Sequence, residues 1–434
     1  MNSRILELAK AQSEKLITRR RDFHNHPEVA WTEFRTASIV ADTLAALGYQ
    51  VLIGDEVIHQ EAMMGVPSAE ELEEQRKRAL QQGANPQWVA KMQGGKTGVV
   101  GVMNFSKHGP TVAFRFDMDA NDVIEAEVEG HRPYREGFAS VNKGAMHACG
   151  HDGHTAIGLS LAAVLVGLKD VLTGTVKIIF QPAEEGVRGA KAMVTRGVVD
   201  DVDYLVGMHL GFALQKSRAV TCRTEGFLAT TKIDAVFTGV PAHAGAAPEV
   251  GRNALLAVAA AALNLHAISR HSKGTSRINV GFIQAGTGRN VVPANAVLKL
   301  ETRGSSSEIN EYMYKEAVRI LKAAAAMYDV TVELIEMGGA VGCDSNPDLV
   351  ARLHQVAVDS GLFEAVLPSI NLGGSEDCTY FMERVQKRGG QATYLIVGTE
   401  LMAGHHDSYF DFNEEVLVSS VALLSEIAAE LLEK

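Results

Sequence analysis

Apolar strands that alternate with helices, each strand followed by polar residues, dominate the first half of this chain. Strands are predicted at Thr111–Asp119, Thr175–Phe180 and Tyr204–Met208, and carboxylates or a histidine stand at or just beyond their ends. A helical apolar run, Thr155–Leu168, separates the first two of them. This alternation is typical of an α/β fold, in which functional side chains gather at strand ends and adjoining loops. We therefore expect an α/β domain with its site at one edge of the sheet.

A stretch rich in histidine, Met146–Thr155, leads into that helix. It reads Met-His-Ala-Cys-Gly-His-Asp-Gly-His-Thr, and Cys149 and His151 stand two positions apart. In an extended chain this spacing sends both side chains to the same side. A thiolate and an imidazole are together good ligands for zinc-like divalent ions. An isolated Cys-x-His is more often a buried cysteine beside capping residues, so the other strand ends decide between the two interpretations.

Further strand ends carry the residue types that complete a metal site. They are Glu184-Glu185, His209, and His405-His406 after a strand predicted at Ala392–Val397. Cysteine, histidine and glutamate in this number can hold two divalent ions that share one ligand. Two ions about 3.5–4 Å apart activate water for hydrolysis. Of two adjacent glutamates, one can bind metal while the other acts as the general base.

With 434 residues the chain is longer than a domain with a single hydrophobic core usually is, which favours two domains. A β-α-β-β-α-β order, the split βαβ arrangement, is predicted for the segments Thr231–Gly239, Asn253–His271, Ser276–Ala285, Ala296–Arg303, Ser307–Tyr328 and Val330–Met337. We interpret residues 223–338 as an inserted domain, and residues 1–222 with 339–434 as a discontinuous catalytic domain.

Charge and composition narrow the function classes. A formal net charge of −11 argues against a nucleic-acid partner. The four cysteines lie far apart, which suits a reducing compartment better than a disulfide framework. The longest apolar stretch, Ala254–Ile268, is too short to cross a membrane. No signal peptide is visible at the N-terminus, so a cytoplasmic location is expected.

Several motifs together resemble a known family. They are Asp117-Met-Asp119-Ala, Met146-His-Ala-Cys149-Gly-His151-Asp, Gln181-Pro-Ala-Glu184-Glu185-Gly, His243-Ala-Gly, Gly288-Arg-Asn290-Val-Val-Pro, Gly374-Ser-Glu-Asp and His406 with Phe410. The set, which covers the chain from Arg20 to about Glu415, resembles the aminoacylase/carboxypeptidase family of metallopeptidases. The branch that it is similar to is the amidohydrolase branch, which cleaves N-acyl and N-aroyl amino acids. The extended segment between Gly54 and Gly95 indicates one subtype within that branch.

The resemblance implies a fold and a metal centre. The fold would be a phosphorylase/hydrolase-like catalytic domain, a mixed sheet between helices, with an inserted ferredoxin-like α+β lid and dimerisation domain. Two divalent ions, Mn²⁺ or Zn²⁺, would be held by Cys149 as the bridging ligand and by His151, Glu185, His209 and His406. Because His405 adjoins His406, the last ligand is assigned by its spacing to Phe410.

Other roles are also carried over from the family. Glu184 would be the general base, and Asp119 would orient a ligand. Asp117 stands where other branches carry a metal-binding histidine. We expect His147, Asp152 and His154 to support the site rather than bind metal.

The inserted domain would supply substrate contacts. His243, usually acting across the dimer, and Asn290 match residues that the family directs to the substrate, and Gly374 belongs to a further substrate motif. Arg303 is a candidate for the substrate carboxylate because its planar fork suits that partner. An exposed charge at a strand end explains Arg303 equally well.

These features predict a two-metal amidohydrolase that releases an amino acid, glutamate in our leading hypothesis, from an aromatic amide. Its partners would be a small N-acyl or N-aroyl amino acid and a second copy of the chain, and a further candidate partner is a paralogous second subunit. A broader N-acyl-amino-acid hydrolase or dipeptidase would use the same metal site. The remaining alternatives are a cysteine-nucleophile hydrolase and a partner-dependent or regulatory subunit.

Overall fold

The computed structural model describes residues 2–106 and 108–432, which form two compact units. The first unit comprises Met1–Gly226, Asp344–Gly373 and Asp377–Lys434, and the second comprises Phe227–Cys343 and Gly374–Glu376. The second unit begins and ends a few residues later than the insertion that we predict at 223–338, and the predicted chain limits at 1 and 434 lie outside the described residues. The assignment of 223–338 to a separate functional domain stays a prediction.

The first unit contains most of the secondary structure. Its helices are α1 (Asn2–Ala11), α2 (Ser13–Asn25), α3 (Phe34–Ala46), α4 (Ala69–Gln81), α5 (Pro86–Val89), α6 (Arg132–Arg135), α7 (His151–Val166), α8 (Ala190–Arg196), α11 (Pro347–Ser360), α12 (Cys378–Lys387) and α13 (Val416–Leu432). Its strands are β1 (Gln50–Ile53), β2 (Val99–Asn104), β3 (Thr111–Asp117), β4 (Thr175–Gln181), β5 (Tyr204–Leu210), β6 (Ala219–Thr221), β7 (Thr224–Glu225), β12 (Ala365–Leu367), β13 (Ile370–Asn371) and β14 (Gln391–Val397).

The second unit contains two helices and four strands. They are β8 (Ala229–Thr238), α9 (Ala254–His266), β9 (Ser276–Ala285), β10 (Asn295–Gly304), α10 (Ser307–Met327) and β11 (Thr331–Ala340). The strands pair antiparallel in the order β11-β8-β10-β9, so β10 separates β8 from β9. This is the split βαβ arrangement that the sequence predicts. Apolar side chains from both helices and from the sheet form its own core.

A mixed sheet of eight strands forms the centre of the first unit, in the order β1-β2-β4-β3-β5-β14-β6-β12. Its four middle strands, β4, β3, β5 and β14, are parallel to one another. The carboxyl ends of neighbouring parallel strands lie at the same edge of a sheet, where ligand sites form in such folds. Consequently the polar residues that follow β3, β4 and β14 are brought to the edge where β5 carries His209.

Helix α7 is nearly all buried, and beyond its polar first turn it is apolar around almost its whole circumference. It begins at His151, four residues before the predicted start at Thr155. The chain at Cys149–His151 is therefore not extended, and the histidine-rich stretch enters the helix from a loop. Gly150 has φ +91°, a left-handed conformation that glycine adopts without steric cost. This sharp turn, rather than the alternation of a strand, brings the two side chains together.

The start of α7 is tied to α2 and to the C-terminal segment by a buried ion cluster. Arg20 is fully buried, and its guanidinium lies 2.9 Å from Asp152, 3.0 Å from Asp411 and 3.3 Å from Glu414. Its Cζ also lies 4.4 Å from the centroid of the Phe412 ring. A buried charge is tolerated only when it is paired in this way. The cluster therefore helps to place His151, the residue before Asp152.

None of the helices in the described part of the chain combines the length and the apolar character that crossing a membrane requires.

We expect Arg20→Met to lower the free energy of unfolding by about 3–5 kcal/mol, because it leaves the buried carboxylate of Asp152 without its guanidinium partner, whereas Asp411 and Glu414 keep Arg132. Arg4→Met is the matched control, because Arg4 pairs with Asp170 at the surface, where an ion pair contributes little. Thermal and denaturant unfolding of both variants is the measurement. Equal stability of the two variants would show that the buried cluster does not hold the start of α7.

Candidate active site

Asp119, two residues beyond the end of β3, organises the site. Its fully buried carboxylate accepts hydrogen bonds from the backbone N–H groups of Glu184 (3.0 Å) and Glu185 (2.9 Å). Its backbone carbonyl lies 2.9 Å from Nδ1 of His151. One residue therefore positions both adjacent glutamates and one histidine, and its role in orienting a metal ligand stays a prediction.

Two clusters of potential ligands meet at Cys149. Within each cluster the ligand atoms lie within 4.8 Å of one another, and the clusters are Cys149, His151, His209 and Cys149, Glu185, His406. Cys149 Sγ lies 3.5 Å from His209 Nε2. Glu185 Oε1 lies 3.3 Å from His406 Nε2. A thiolate that belongs to both clusters is the ligand that two neighbouring cations would share.

Backbone carbonyls set the orientation of two imidazole rings. The Nδ1–H groups of His151 and His209 donate to the carbonyls of Asp119 (2.9 Å) and Leu210 (2.7 Å). The Nε2 atoms are then turned toward the cluster, and a hydrogen bond of this kind is how proteins orient metal-binding histidines. Among the described residues, His151 Nε2 is buried and has no hydrogen-bond partner. This arrangement fits a divalent cation.

The electrostatics of the cluster also favour a cation. Burial opposes a charge on His151, but the carboxylates of Asp117 and Asp119 raise its pKa to about 10. Burial and the neighbouring His154 and His405 hold the pKa of His209 well below its usual range, which favours the neutral imidazole that a metal ligand needs. The excess of carboxylates attracts positive charge, which a proton on His151 or a metal can supply.

Cys149 is a poor nucleophile in these surroundings. The side chain is almost fully buried. Burial, together with the charges of Glu185 and Glu184, raises the pKa of its thiol well above the usual range. The reactive form of cysteine is the thiolate, and a bound cation would favour that form here. The geometry therefore disfavours the cysteine-nucleophile alternative.

Of the two adjacent histidines near the C-terminus, His406 is the one directed at the cluster. Its backbone N–H donates to the carbonyl of Ala148 (2.8 Å), and its φ is +65°. The ring of His405 instead packs against Phe212 and Phe410, with centroids 4.7 Å and 5.0 Å away. This geometry favours His406 as the last ligand, as its spacing to Phe410 predicts.

Asp117 and His154 stabilise the floor of the site. His154 Nδ1 donates to Asp117 (2.6 Å), and its Nε2 accepts the backbone N–H of Leu210 (3.0 Å). Arg115 donates to the other oxygen of Asp117 at 2.7 Å. Both side chains have protein partners, which favours a supporting role, although with His151 they also form a group whose ligand atoms lie within 4.8 Å of one another. Asp152 has a similar role in the Arg20 cluster, whereas both ring nitrogens of buried His147 lack a hydrogen-bond partner in the described part of the chain.

In the second unit, His243 and Asn290 lie on two loops that are joined by hydrogen bonds. The backbone N–H of Ala244 donates to the carbonyl of Asn290 (3.0 Å). Nδ1 of the exposed His243 accepts the N–H groups of Gly245 and Ala246, each at 3.1 Å. Because Nδ1 is an acceptor, the ring proton lies on Nε2, which is a donor available to a ligand.

Arg303 and Gly374 are engaged within the second unit. Arg303, on β10, donates to the carboxylate of Glu301 through Nε (2.8 Å) and Nη2 (3.1 Å). Its charge is therefore already paired, which favours the interpretation of a strand-surface charge over a substrate contact. The Gly374 carbonyl accepts the backbone N–H of Leu228 (2.7 Å).

Beside the ligand clusters, the first unit has a cavity of about 230 Å³. Its wall includes Asn121, Asp122, Glu185, Gly186, Arg188 and His406. Arg188 and Asn121 are residues that sequence reasoning missed. The position of Arg188 only three residues after Glu185 is the signal that could have identified it.

Comparison with known proteins decides the family. The model of the family described as "Peptidase family M20/M25/M40" matches residues 113–430. This chain belongs to that family. The predicted family resemblance, the α/β architecture and the assignment as a metal-dependent hydrolase of amide bonds are thereby confirmed.

Members of the M20/M25/M40 family similar to this chain include two curated proteins and one crystal structure. One subunit of the p-aminobenzoyl-glutamate hydrolase of Escherichia coli is 51% identical over 97% of this chain and 97% of its own. The indole-3-acetyl-aspartic acid hydrolase of Enterobacter agglomerans is 51% identical over 94% of this chain and 93% of its own. An aminobenzoyl-glutamate utilization protein from Klebsiella pneumoniae has a TM-score of 0.84 and 44% identity, with 97% of each chain covered.

We expect the cobalt(II)-loaded chain to show a sulfur-to-metal charge-transfer absorption, because coordination removes the thiol proton of Cys149. Cys149→Ser should abolish this absorption. Cys222→Ser, which alters another buried cysteine, is the control and should retain it. Ultraviolet absorption during cobalt titration is the measurement. Persistence of the band in Cys149→Ser would exclude this cysteine as the ligand.

Proposed function

We propose that this chain hydrolyses the amide bond of p-aminobenzoyl-glutamate, releasing p-aminobenzoate and glutamate. The observation that carries the proposal is the pair of ligand clusters that share Cys149, with Glu184 beside them. The names of two similar proteins, in Escherichia coli and Klebsiella pneumoniae, refer to this substrate. The wide coverage of each chain supports a shared activity.

The ligands that we propose are Cys149, His151, Glu185, His209 and His406, and they would hold two divalent ions. Thiolate and imidazole suit zinc, whereas carboxylate ligands also accept manganese. When bound, such a pair of ions polarises the amide carbonyl and acidifies the attacking water. Cys149 must stay reduced to serve as a ligand, and for this reason we also propose a cytoplasmic location.

Glu184 is the general base that we propose. Its backbone is held by Asp119, and its Oε2 lies 4.0 Å from Nε2 of His151, so its carboxylate adjoins the ligands. The side chain is largely buried, which keeps bulk water away from its carboxylate. It would take a proton from the attacking water and deliver it to the departing nitrogen of glutamate.

His243 is the donor that we propose for the oxyanion formed at the carbonyl carbon. Its proton lies on Nε2, since the backbone bonds at Nδ1 exclude the other tautomer. Such a donor stabilises negative charge that develops in the transition state. We propose that the second unit acts as lid and dimerisation domain, that His243 serves the site of the other protomer, and that Asn290 and Gly374 contact the substrate. We retain Arg303 only as a weaker candidate, because of its bond to Glu301.

A second candidate activity is hydrolysis of an arylacetyl-aspartate or another N-acyl amino acid. It is favoured by the equal identity to the indole-3-acetyl-aspartic acid hydrolase. Because the Escherichia coli relative is named as one subunit of its enzyme, a paralogous partner is also a candidate requirement. Release of p-aminobenzoate, compared with release of indole-3-acetate, by the purified chain alone after metal reconstitution distinguishes these possibilities. If the metal-loaded chain alone releases neither product, the isolated chain does not have the proposed activity.

We expect Glu184→Gln to lower turnover of p-aminobenzoyl-glutamate by ~10²–10⁴-fold, the usual contribution of a general base. Metal content should remain near two ions per chain, since Glu184 is not among the proposed ligands. Cys149→Ala and Glu185→Ala are the comparison variants and should lose metal. Elemental analysis with steady-state kinetics measures both effects. Equal metal loss in Glu184→Gln would show that the two glutamates do not divide their roles.

We expect activity to return when inactive Glu184→Gln chains are mixed with inactive His243→Ala chains under conditions that exchange protomers. In a mixed dimer one site carries both defects and the other carries neither, so about one site per mixed dimer should work. Loss of His243 alone should lower the rate by ~10²–10³-fold. The control mixture is Glu184→Gln with Cys149→Ala, whose sites should all stay defective. Exchanged mixtures that remain inactive would place His243 in its own protomer's site or away from the reaction.

A further inference from the structure

Arg188 places a guanidinium group in the wall of the cavity beside the ligand clusters. Its Nε donates to the backbone carbonyl of Glu185 (2.9 Å), and its Nη1 donates to that of Gly65 (3.3 Å). The side chain is partly buried, and both acceptors are main-chain atoms whose positions the fold determines. The guanidinium is therefore held in place without being neutralised.

The charge of Arg188 is uncompensated. Its recorded partners within residues 2–106 and 108–432 are carbonyls, and none is a carboxylate within ion-pair distance. A guanidinium has five N–H donors, so two bonds leave three of them for a ligand. The guanidinium group of Arg303, by contrast, is already bound to the carboxylate of Glu301 through two hydrogen bonds. Of the two arginines, Arg188 is the one equipped to bind an anion.

The loop after β4 is shaped to bring this side chain back toward the cavity. Ala183 and Val187 have φ of +54° and +59°, backbone conformations that residues other than glycine rarely adopt. Gly186, at φ +81°, leaves the room that the guanidinium fills, because a Cβ there would lie 2.8 Å from Arg188 Nε. Backbone conformations of this kind persist where the surrounding structure imposes them, and they cluster at ligand sites.

The extended segment between Gly54 and Gly95 provides the second anchor. Its Gly65 carbonyl binds Arg188, and the neighbouring Met64 carbonyl accepts the indole N–H of Trp31 at 2.7 Å. The segment is thereby fixed to the body of the first unit at the point where it meets Arg188. This gives a role to a stretch of sequence that the metal site itself does not require.

The cavity also touches Glu185 and His406, so a ligand in it would adjoin the proposed metal site. Its volume of about 230 Å³ is below the roughly 300–1,000 Å³ of pockets for whole drug-sized molecules, and suits a short side chain. Two other charges line it. Glu185 is engaged by His406 at 3.3 Å, and Asp122 is exposed, where solvent screens its charge.

Building on the proposed function, we propose that Arg188 binds the side-chain carboxylate of the amino acid in the substrate, and thereby selects acidic amino acids. The names of the two curated relatives, both 51% identical to this chain, contain different acyl groups but share a dicarboxylic amino acid, glutamate or aspartate. A planar guanidinium binds a carboxylate through two parallel hydrogen bonds. Arg188 then determines specificity, whereas Glu184 and the metal ligands perform the reaction.

The test compares N-benzoyl-glutamate with N-benzoyl-glutamine, which has the same shape and no side-chain charge. In the metal-loaded full-length chain, Arg188→Met should lower the ratio of their kcat/KM values roughly 10- to 100-fold, the effect of one charged hydrogen-bond pair. The change should appear chiefly in KM for the glutamate compound. Arg188→Lys should restore part of the ratio because it keeps the charge. Arg196→Met, an exposed arginine on α8, is the matched control and should leave the ratio unchanged.

A third substrate shows which of the two carboxylates Arg188 binds, and a binding measurement separates its effect on binding from its effect on turnover. N-benzoyl-isoglutamine keeps the side-chain carboxylate and lacks the α-carboxylate, so it should respond to Arg188→Met as the glutamate compound does. If only compounds with the α-carboxylate respond, or if the ratio does not change, the assignment of Arg188 is wrong.

Calorimetric titration of Glu184→Gln chains with the same compounds separates binding from turnover. An Arg188-dependent preference for glutamate in binding, without hydrolysis by the wild-type chain, would support the specificity role and overturn the proposed activity. Hydrolysis by the wild-type chain without an Arg188-dependent preference in binding would support the proposed activity and overturn the specificity role of Arg188.

Discussion

The hydrogen bonds of Asp119 are the interaction on which the arrangement of the site depends. A buried carboxylate is costly unless its oxygens are satisfied, and here each oxygen accepts one backbone N–H, from Glu184 and from Glu185. The same residue holds His151 through its backbone carbonyl. The proposed general base and two of the proposed ligands are thus positioned relative to one residue. Such positioning is possible because β3 and β4 are neighbouring parallel strands that end at the same edge.

Buried charge outside the immediate cluster stabilises the same region. Asp117 is fixed by Arg115 and His154, and Asp152 by Arg20 and His24. Each pairing places an opposite charge or a donor beside a carboxylate, which lowers the cost of keeping it away from water. The pKa of Asp117 stays well below its usual range, because His151, His154 and Arg115 outweigh the effect of burial. The supporting residues are therefore ionised or hydrogen-bonded before any metal binds.

Much of this arrangement could be predicted from sequence, because it follows from local patterns. The predicted strand Ser276–Ala285 and helix Pro347–Ser360 have the bounds that the structure shows. Polar residues beyond parallel strands must lie at one edge, and this places Glu184, Glu185 and His209 together. The glycines of the histidine-rich stretch allow a sharp bend, and the structure has one at Gly150, but the Cys-x-His spacing alone does not reveal the positive φ there. The pairing of Arg303 with Glu301 was also hidden, because two residues at that spacing share a face of the strand but form an ion pair only if their rotamers converge. Arg188 depends on a carbonyl 123 residues earlier in the chain, a contact that local reasoning cannot find.

The hydrogen bond between Arg188 and Gly65 joins two parts of the chain that can change in different ways, the strand ends that carry the proposed ligands and the segment between Gly54 and Gly95. Residues at the ends of the parallel strands are constrained together, since altering one disturbs the geometry of several. The segment between Gly54 and Gly95 meets Arg188 through the Gly65 carbonyl, and the positive φ of Gly65, +58°, favours glycine at that point. None of the proposed ligands or catalytic groups lies in this segment, so a change elsewhere in it leaves the reacting groups in place. A duplicated gene of this kind could acquire a new substrate range by remodelling one loop while inheriting its chemistry intact.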